Sequence, residues 1–114
     1  MEKNRMGMVN RDASVNHDGH EIALSVALTG SGLSTCQYKL YVDGQITDQQ
    51  AISAWSRFFG ATVTLRGQLP LLSGQSIPRK VKVIANLRLF KKSDYLFFVD
   101  DVQIHQVWAT YGGL

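Results

Sequence analysis

The sequence predicts a mainly β fold: about six antiparallel strands in a sandwich or small barrel, built from two similar halves, with one short helix. Three observations carry this. Apolar and polar residues alternate with a period of two in several runs, as in strands that bury one face. The phrase Tyr38-Lys39-Leu40-Tyr41-Val42-Asp43-Gly44 is echoed 57 residues later, in a chain of 114, by Tyr95-Leu96-Phe97-Phe98-Val99-Asp100-Asp101. Each copy has an aromatic start, an apolar body and an acidic stop. Finally, Asp43-Gly44 follows one such run directly, a strong short-range hairpin signal.

Residues 1–20 are polar, mixed in charge and without a period, and read as a flexible N-terminal tail ahead of a single β-rich domain over 21–114. From Glu21, the residues Ile22, Leu24, Val26 and Leu28 alternate with small or polar ones, predicting the first strand. The stretch Gly30 to Thr35 is its turn, because glycine supplies the positive φ such loops need. A second strand, about Cys36 to Val42, returns into Asp43-Gly44, and Gln45 to Thr47 continue as a short third strand. Thr47-Asp48-Gln49-Gln50 has the form of a capping box. With Ile52, Trp55 and Phe58/Phe59 at helical spacing and Gly60 as a stop, the pattern predicts a helix over about 48–59, an aromatic strand being the alternative.

Ala61 to Arg66 alternate again, and Gly67 to Arg79 form a long loop holding both prolines. Val81, Val83, Ala85, Leu87 and Leu89 share one strand face opposite Lys80, Lys82, Asn86 and Arg88. At the offset of 57, Val81, Val83 and Ala85 superpose on Leu24, Val26 and Leu28. Phe90 to Asp94 make a short hairpin loop. Tyr95 to Val99 is apolar on both faces and so needs cover on both sides. Val102, Ile104, Val107 and Trp108 predict a last strand, bulged where the parity slips after Ile104.

Hydrophobic residues make up 45% of the chain and charged residues 18%, which suits one globular core and excludes a disordered chain. No apolar run approaches the ~20 residues that span a bilayer. The first residues lack the apolar region of a secretory signal, and the default location is the cytoplasm. A lone Cys36 makes no internal disulfide and, with no nearby cation to depress its pKa, reads as a small core residue. His17-Asp18-Gly19-His20 has the spacing of a metal-binding pair but lacks further anchored ligands, so it reads as a turn. Asp43, Asp100 and Asp101 read as turn caps; paired across the two halves they would form a carboxylate cluster for a cation or acid–base work. No nucleophile elbow, phosphate-binding glycine loop or dinucleotide fingerprint is present, so neither a cofactor nor a catalytic residue is expected.

Charge is segregated. Residues 49–93 carry eight cations and no acid, a block of +8, whereas the remainder carries nine acids against four cations, or −5. The predicted basic face is Arg66, Arg79, Lys80, Lys82, Arg88, Lys91 and Lys92, with Lys80, Lys82 and Arg88 on one side of a strand. Such a face attracts phosphates or an acidic protein surface, and it also protects an edge strand from aggregation. Tyr41, Trp55, Phe58, Phe98 and Trp108 are the candidates for a pocket or interface.

Tyr38 to Gly44, preceded by His20-Glu21-Ile22 and Ser31-Gly32, resembles repeats in Fas apoptotic inhibitory molecule-like β-sandwiches. The resemblance spans residues 20–44. The tryptophan and the strand after it come at a different spacing, and no functional residue carries over. The expectation is a non-catalytic binding module that self-associates as a homo-oligomer. The alternatives are single-stranded nucleic-acid binding on the basic face, and a small-ligand barrel or enzyme.

Overall fold

The computed structural model describes residues 11–30, 34–71, 74, 76–88 and 93–108. Eight strands appear: β1 (Arg11–His17), β2 (His20–Thr29), β3 (Thr35–Val42), β4 (Gln45–Ser53), β5 (Ala61–Gln68), β6 (Lys80–Leu87), β7 (Asp94–Val99) and β8 (Val102–Trp108). They form two antiparallel sheets, β1-β2-β3-β4 and β5-β6-β7-β8, each a meander of sequential neighbours. The mainly antiparallel β architecture holds, with eight strands rather than about six.

The unexpected strand residues come from polar sequence: β1 is new, and β4, expected as a short strand over Gln45 to Thr47, runs on to Ser53. Arg11–His17, expected within the tail, pairs with β2 through the tight turn Asp18-Gly19, where both residues have positive φ. Only Ala13 and Val15 mark its inner face, too few to reveal a period. The segment expected to open a helix instead continues the Asp43-Gly44 hairpin, so Gln45–Ser53 pairs along the whole of β3. The helix α1 shrinks to Ala54–Phe59. Its cap is Ser53, whose hydroxyl accepts from the Ser56 N–H at 3.1 Å, and Thr47 lies back in the strand. Gly60 ends it at φ 104°. Propensity lost here to a ladder already nucleated by a two-residue turn.

The core lies between the sheets. Ile22, Leu24, Cys36, Tyr38, Leu40 and Val42 from the first sheet meet Val63, Leu65, Val81, Val83, Ala85, Tyr95 and Phe97 from the second. Burying one such aliphatic or aromatic side chain is worth about 1.5–3 kcal/mol, so neither sheet's inner face can stand exposed. Cys36 is buried and free, as a small core residue.

The register confirms the internal repeat and refines it. Ile22 pairs with Val42, and Val81 with Val99. With β3 and β7 aligned at 57 residues, β2 and β6 align at 59: Val81, Val83 and Ala85 match Ile22, Leu24 and Val26. The second hairpin is two residues shorter than the first. Bulges repeat as well. Thr47 is the extra residue of β4, and Ile104, 57 positions on, is the extra residue of β8.

The sheets join along one seam, where β4 side chains cover the outer edge of β5. Gln50 Nε2 donates to the Thr64 carbonyl at 2.6 Å, the Arg66 N–H donates to Asp48 Oδ2 at 2.9 Å, and the Thr47 hydroxyl donates to the Arg66 carbonyl at 3.3 Å. Gly67 belongs to this seam, since a Cβ there would stand 2.5 Å from Thr47 Oγ1. No helix among the described residues is long and apolar enough to cross a membrane.

Candidate interaction face on the second sheet

Strand alternation decides which side chains leave the core. Because Val81, Val83, Ala85 and Leu87 are buried inward, Lys80, Lys82, Ile84 and Asn86 project from the other side of the second sheet. Cross-strand pairing brings their neighbours to the same side. Arg66 stands opposite Lys82, Thr64 opposite Ile84, Leu96 opposite Ile84, Phe98 opposite Lys82, and Trp108 opposite Asp94. The result is a strip of half-buried Ile84, Leu96 and Phe98 leading toward an exposed Trp108, bordered by Arg66, Lys80, Lys82 and Arg88.

Two cations lie on two rings. Lys82 Nζ sits 5.1 Å from the Phe98 ring centroid and 3.6 Å from Asp101 Oδ1. The Arg88 guanidinium is centred 5.8 Å from the Trp108 ring. It is held there by Asp94, a carboxylate only 3% exposed, through a contact of 3.4 Å to Oδ1. Gln106 Nε2 donates to the other oxygen of Asp94 at 2.8 Å. Asp94 thus fixes the posture of Arg88 while cancelling its charge locally. Arg66 and Lys82 are like charges directly across a strand pair, which costs stability unless an anion intervenes.

The structure divides the predicted basic set. Arg66, Lys80, Lys82 and Arg88 share the face. Arg79 does not: its guanidinium turns to the Asp18 carboxylate at the turn-bearing end of the sandwich. Lys91 and Lys92 lie outside the described residues.

The aromatic candidates separate too. Phe98 and Trp108 belong to this face, whereas Tyr41 is buried on the outer side of the first sheet, opposite Ala23 and Ile46. Trp55 is exposed on α1, stacked on Phe59 with ring centroids 6.1 Å apart. The Phe58 side chain lies outside the described residues. Tyr41 and Trp108 therefore lie on the outer sides of different sheets, and Trp55 on α1.

The acidic turn residues act locally. Asp43 Oδ1 accepts from the Glu21 N–H at 2.9 Å, and Oδ2 bonds His20 Nδ1 at 2.8 Å. Asp100 Oδ1 accepts from the Lys80 N–H at 2.9 Å, the same cap in the second half. The Glu21 N–H and then the His20 imidazole hold the Asp43 carboxyl below the usual carboxylate range. For Asp18 the Arg79 hydrogen bond, followed by the charge of His17, does the same. Among the described residues, no three His, Cys, Asp or Glu side chains gather as a metal site requires.

The sequence points to the cations of this face but not to Ile84 or Asp94. Ile84 is hidden among the polar alternates of β6. Asp94 falls within the expected hairpin loop, although an acid directly before an apolar strand and six residues after an arginine is the available signal. Neither the family models, the curated proteins nor the solved structures give a match to this chain.

Proposed function

We propose that this chain is a non-catalytic binding module that self-associates. One observation carries the reading: the second sheet leaves apolar side chains uncovered, inside a charged rim on its outer face and along its border strand β8. Ile84, Leu96, Phe98 and Trp108 form the centre, and Arg66, Lys80, Lys82 and Arg88 the border. Aromatic and aliphatic anchors within an arginine- and lysine-bearing rim are the anatomy of binding faces rather than of solvated sheet surfaces. Trp108, 51% exposed, carries apolar surface out to the border strand. The test is sedimentation equilibrium over a wide concentration range. A weight-average mass climbing above 12.7 kDa with concentration is expected, and a constant 12.7 kDa would refute self-association.

A second reading has its own support. Lys82 over Phe98 and Arg88 over Trp108 place cations and π-faces side by side on one sheet surface. That combination suits the phosphates and bases of single-stranded nucleic acid.

A further inference from the structure

Edge strands expose unpaired backbone groups, and proteins blunt them with charge, bulges or cover. This sandwich has four: β1, β4, β5 and β8. The β4 and β5 edges meet at the seam, where Thr47, Asp48 and Gln50 cap the backbone of β5. In the second half, the repeat puts Ile104, His105 and Val107 at those three positions. Ile104 and Val107 have nothing to donate or accept, and the His105 ring leans on Phe97 at 5.8 Å. Among the described residues, no hydrogen bond joins β8 to β1.

β8 is also the one edge strand without a charged side chain: its sequence is Val-Gln-Ile-His-Gln-Val-Trp. β1 carries Arg11 and Asp12, β4 carries Asp48, and β5 carries Arg66. The backbone of β8 is turned outward in a definite pattern. The two-residue turn Asp100-Asp101 makes Val99 and Val102 a bonded pair, and bonding alternates from there. Past the bulge, Val107 bonds Tyr95, so the N–H and C=O groups of Gln106 and Trp108 face the open side.

Resting on the self-association reading, we propose that β8 is where the second copy binds, as an antiparallel β8–β8 pair about a twofold axis near Gln106. The two second sheets then become one eight-stranded sheet. Charge selects this arrangement over stacking of the two outer faces. Stacking would bring together two faces rimmed by cations of like sign, Arg66, Lys80, Lys82 and Arg88 on each, whereas edge pairing lays these faces side by side. An uncharged edge suits an uncharged edge, and each copy brings one. A twofold contact is self-complementary and closes at the dimer.

The experiment compares wild type with two variants by sedimentation equilibrium and far-UV circular dichroism. Gln106→Pro removes the outward N–H at the axis, and with it the side-chain bond to Asp94, while sparing the ladder to β7. Gln106→Lys keeps that N–H but places like charges across the axis, and it decides the matter if the proline variant fails to fold. Wild type is expected to approach twice 12.7 kDa, and the folded variants to remain at 12.7 kDa throughout. Folded variants that still dimerise would overturn the β8 interface and leave self-association standing. A wild type that stays monomeric at every concentration would overturn both.

Discussion

At the scale of single residues, the turn aspartates do most to fix local geometry. Asp18, Asp43, Asp100 and Asp101 all have φ between 51° and 64°, a region aspartate tolerates better than most residues because its short side chain bonds nearby backbone. Asp43 accepts the Glu21 N–H and pairs with His20, so its folded pKa lies below the ordinary 3.8. A depressed folded pKa stabilises the native state above the unfolded value, and that contribution disappears as pH falls through the folded one. Asp43→Asn should therefore flatten the acid side of the stability curve below about pH 4 and leave the shape of its neutral plateau unchanged. Thermal unfolding midpoints measured from pH 6 to pH 2, roughly the range carboxylates span, check this. Acid limbs of equal steepness in wild type and variant would contradict it.

At the scale of elements, the β5 edge depends on its neighbour's side chains rather than on a ladder. Asp48→Ala should return the Arg66 N–H to water, costing about 0.5–1.5 kcal/mol. Hydrogen exchange at that amide should quicken while amides in β6 and β7 stay protected; unchanged exchange at Arg66 would count against the seam. β2, β3, β6 and β7 were legible because each alternates apolar with polar residues or is apolar throughout. β1 and the length of β4 were not; in β4, expected only over Gln45 to Thr47, Asp48 and Gln50 are polar and serve the seam although they lie on the inward side. Their partners lie in a strand eighteen and fourteen residues away, beyond the reach of any local pattern. The bulge of β8 was legible in the parity slip after Ile104; that of β4 was masked by polar residues around Thr47.

At the scale of the whole molecule, four cations of the acid-free block from 49 to 93, Arg66, Lys80, Lys82 and Arg88, share one side of the second sheet. Charge segregation was visible in the sequence, and so was the shared side of these four; the departure of Arg79 was not. Arg79 follows Asp18 across the sandwich end, a pairing sixty-one residues apart that only the fold creates. If the face also holds single-stranded nucleic acid, log affinity must fall linearly with log salt. Lys80→Ala with Lys82→Ala should then reduce that slope by about 1.4, at ~0.7 for each phosphate no longer neutralised. Fluorescence anisotropy of a labelled oligonucleotide reads it, and a salt-independent or absent signal would exclude this use of the face. The shared interior binds the two sheets together, because each inner face covers the other.

The two-residue difference between the paired hairpins carries a rule for how such a chain can change in length. Side chains swap sides with every single step along a strand, so a slip of one would turn a strand's core residues outward. A slip of two moves the partner along and leaves every inward residue inward. The two halves differ by that even step, from Ile22–Val42 to Val81–Val99. A duplicated sheet can therefore drift in register by pairs of residues while its interior stays intact, and its outer side is then free to acquire a different surface in each half.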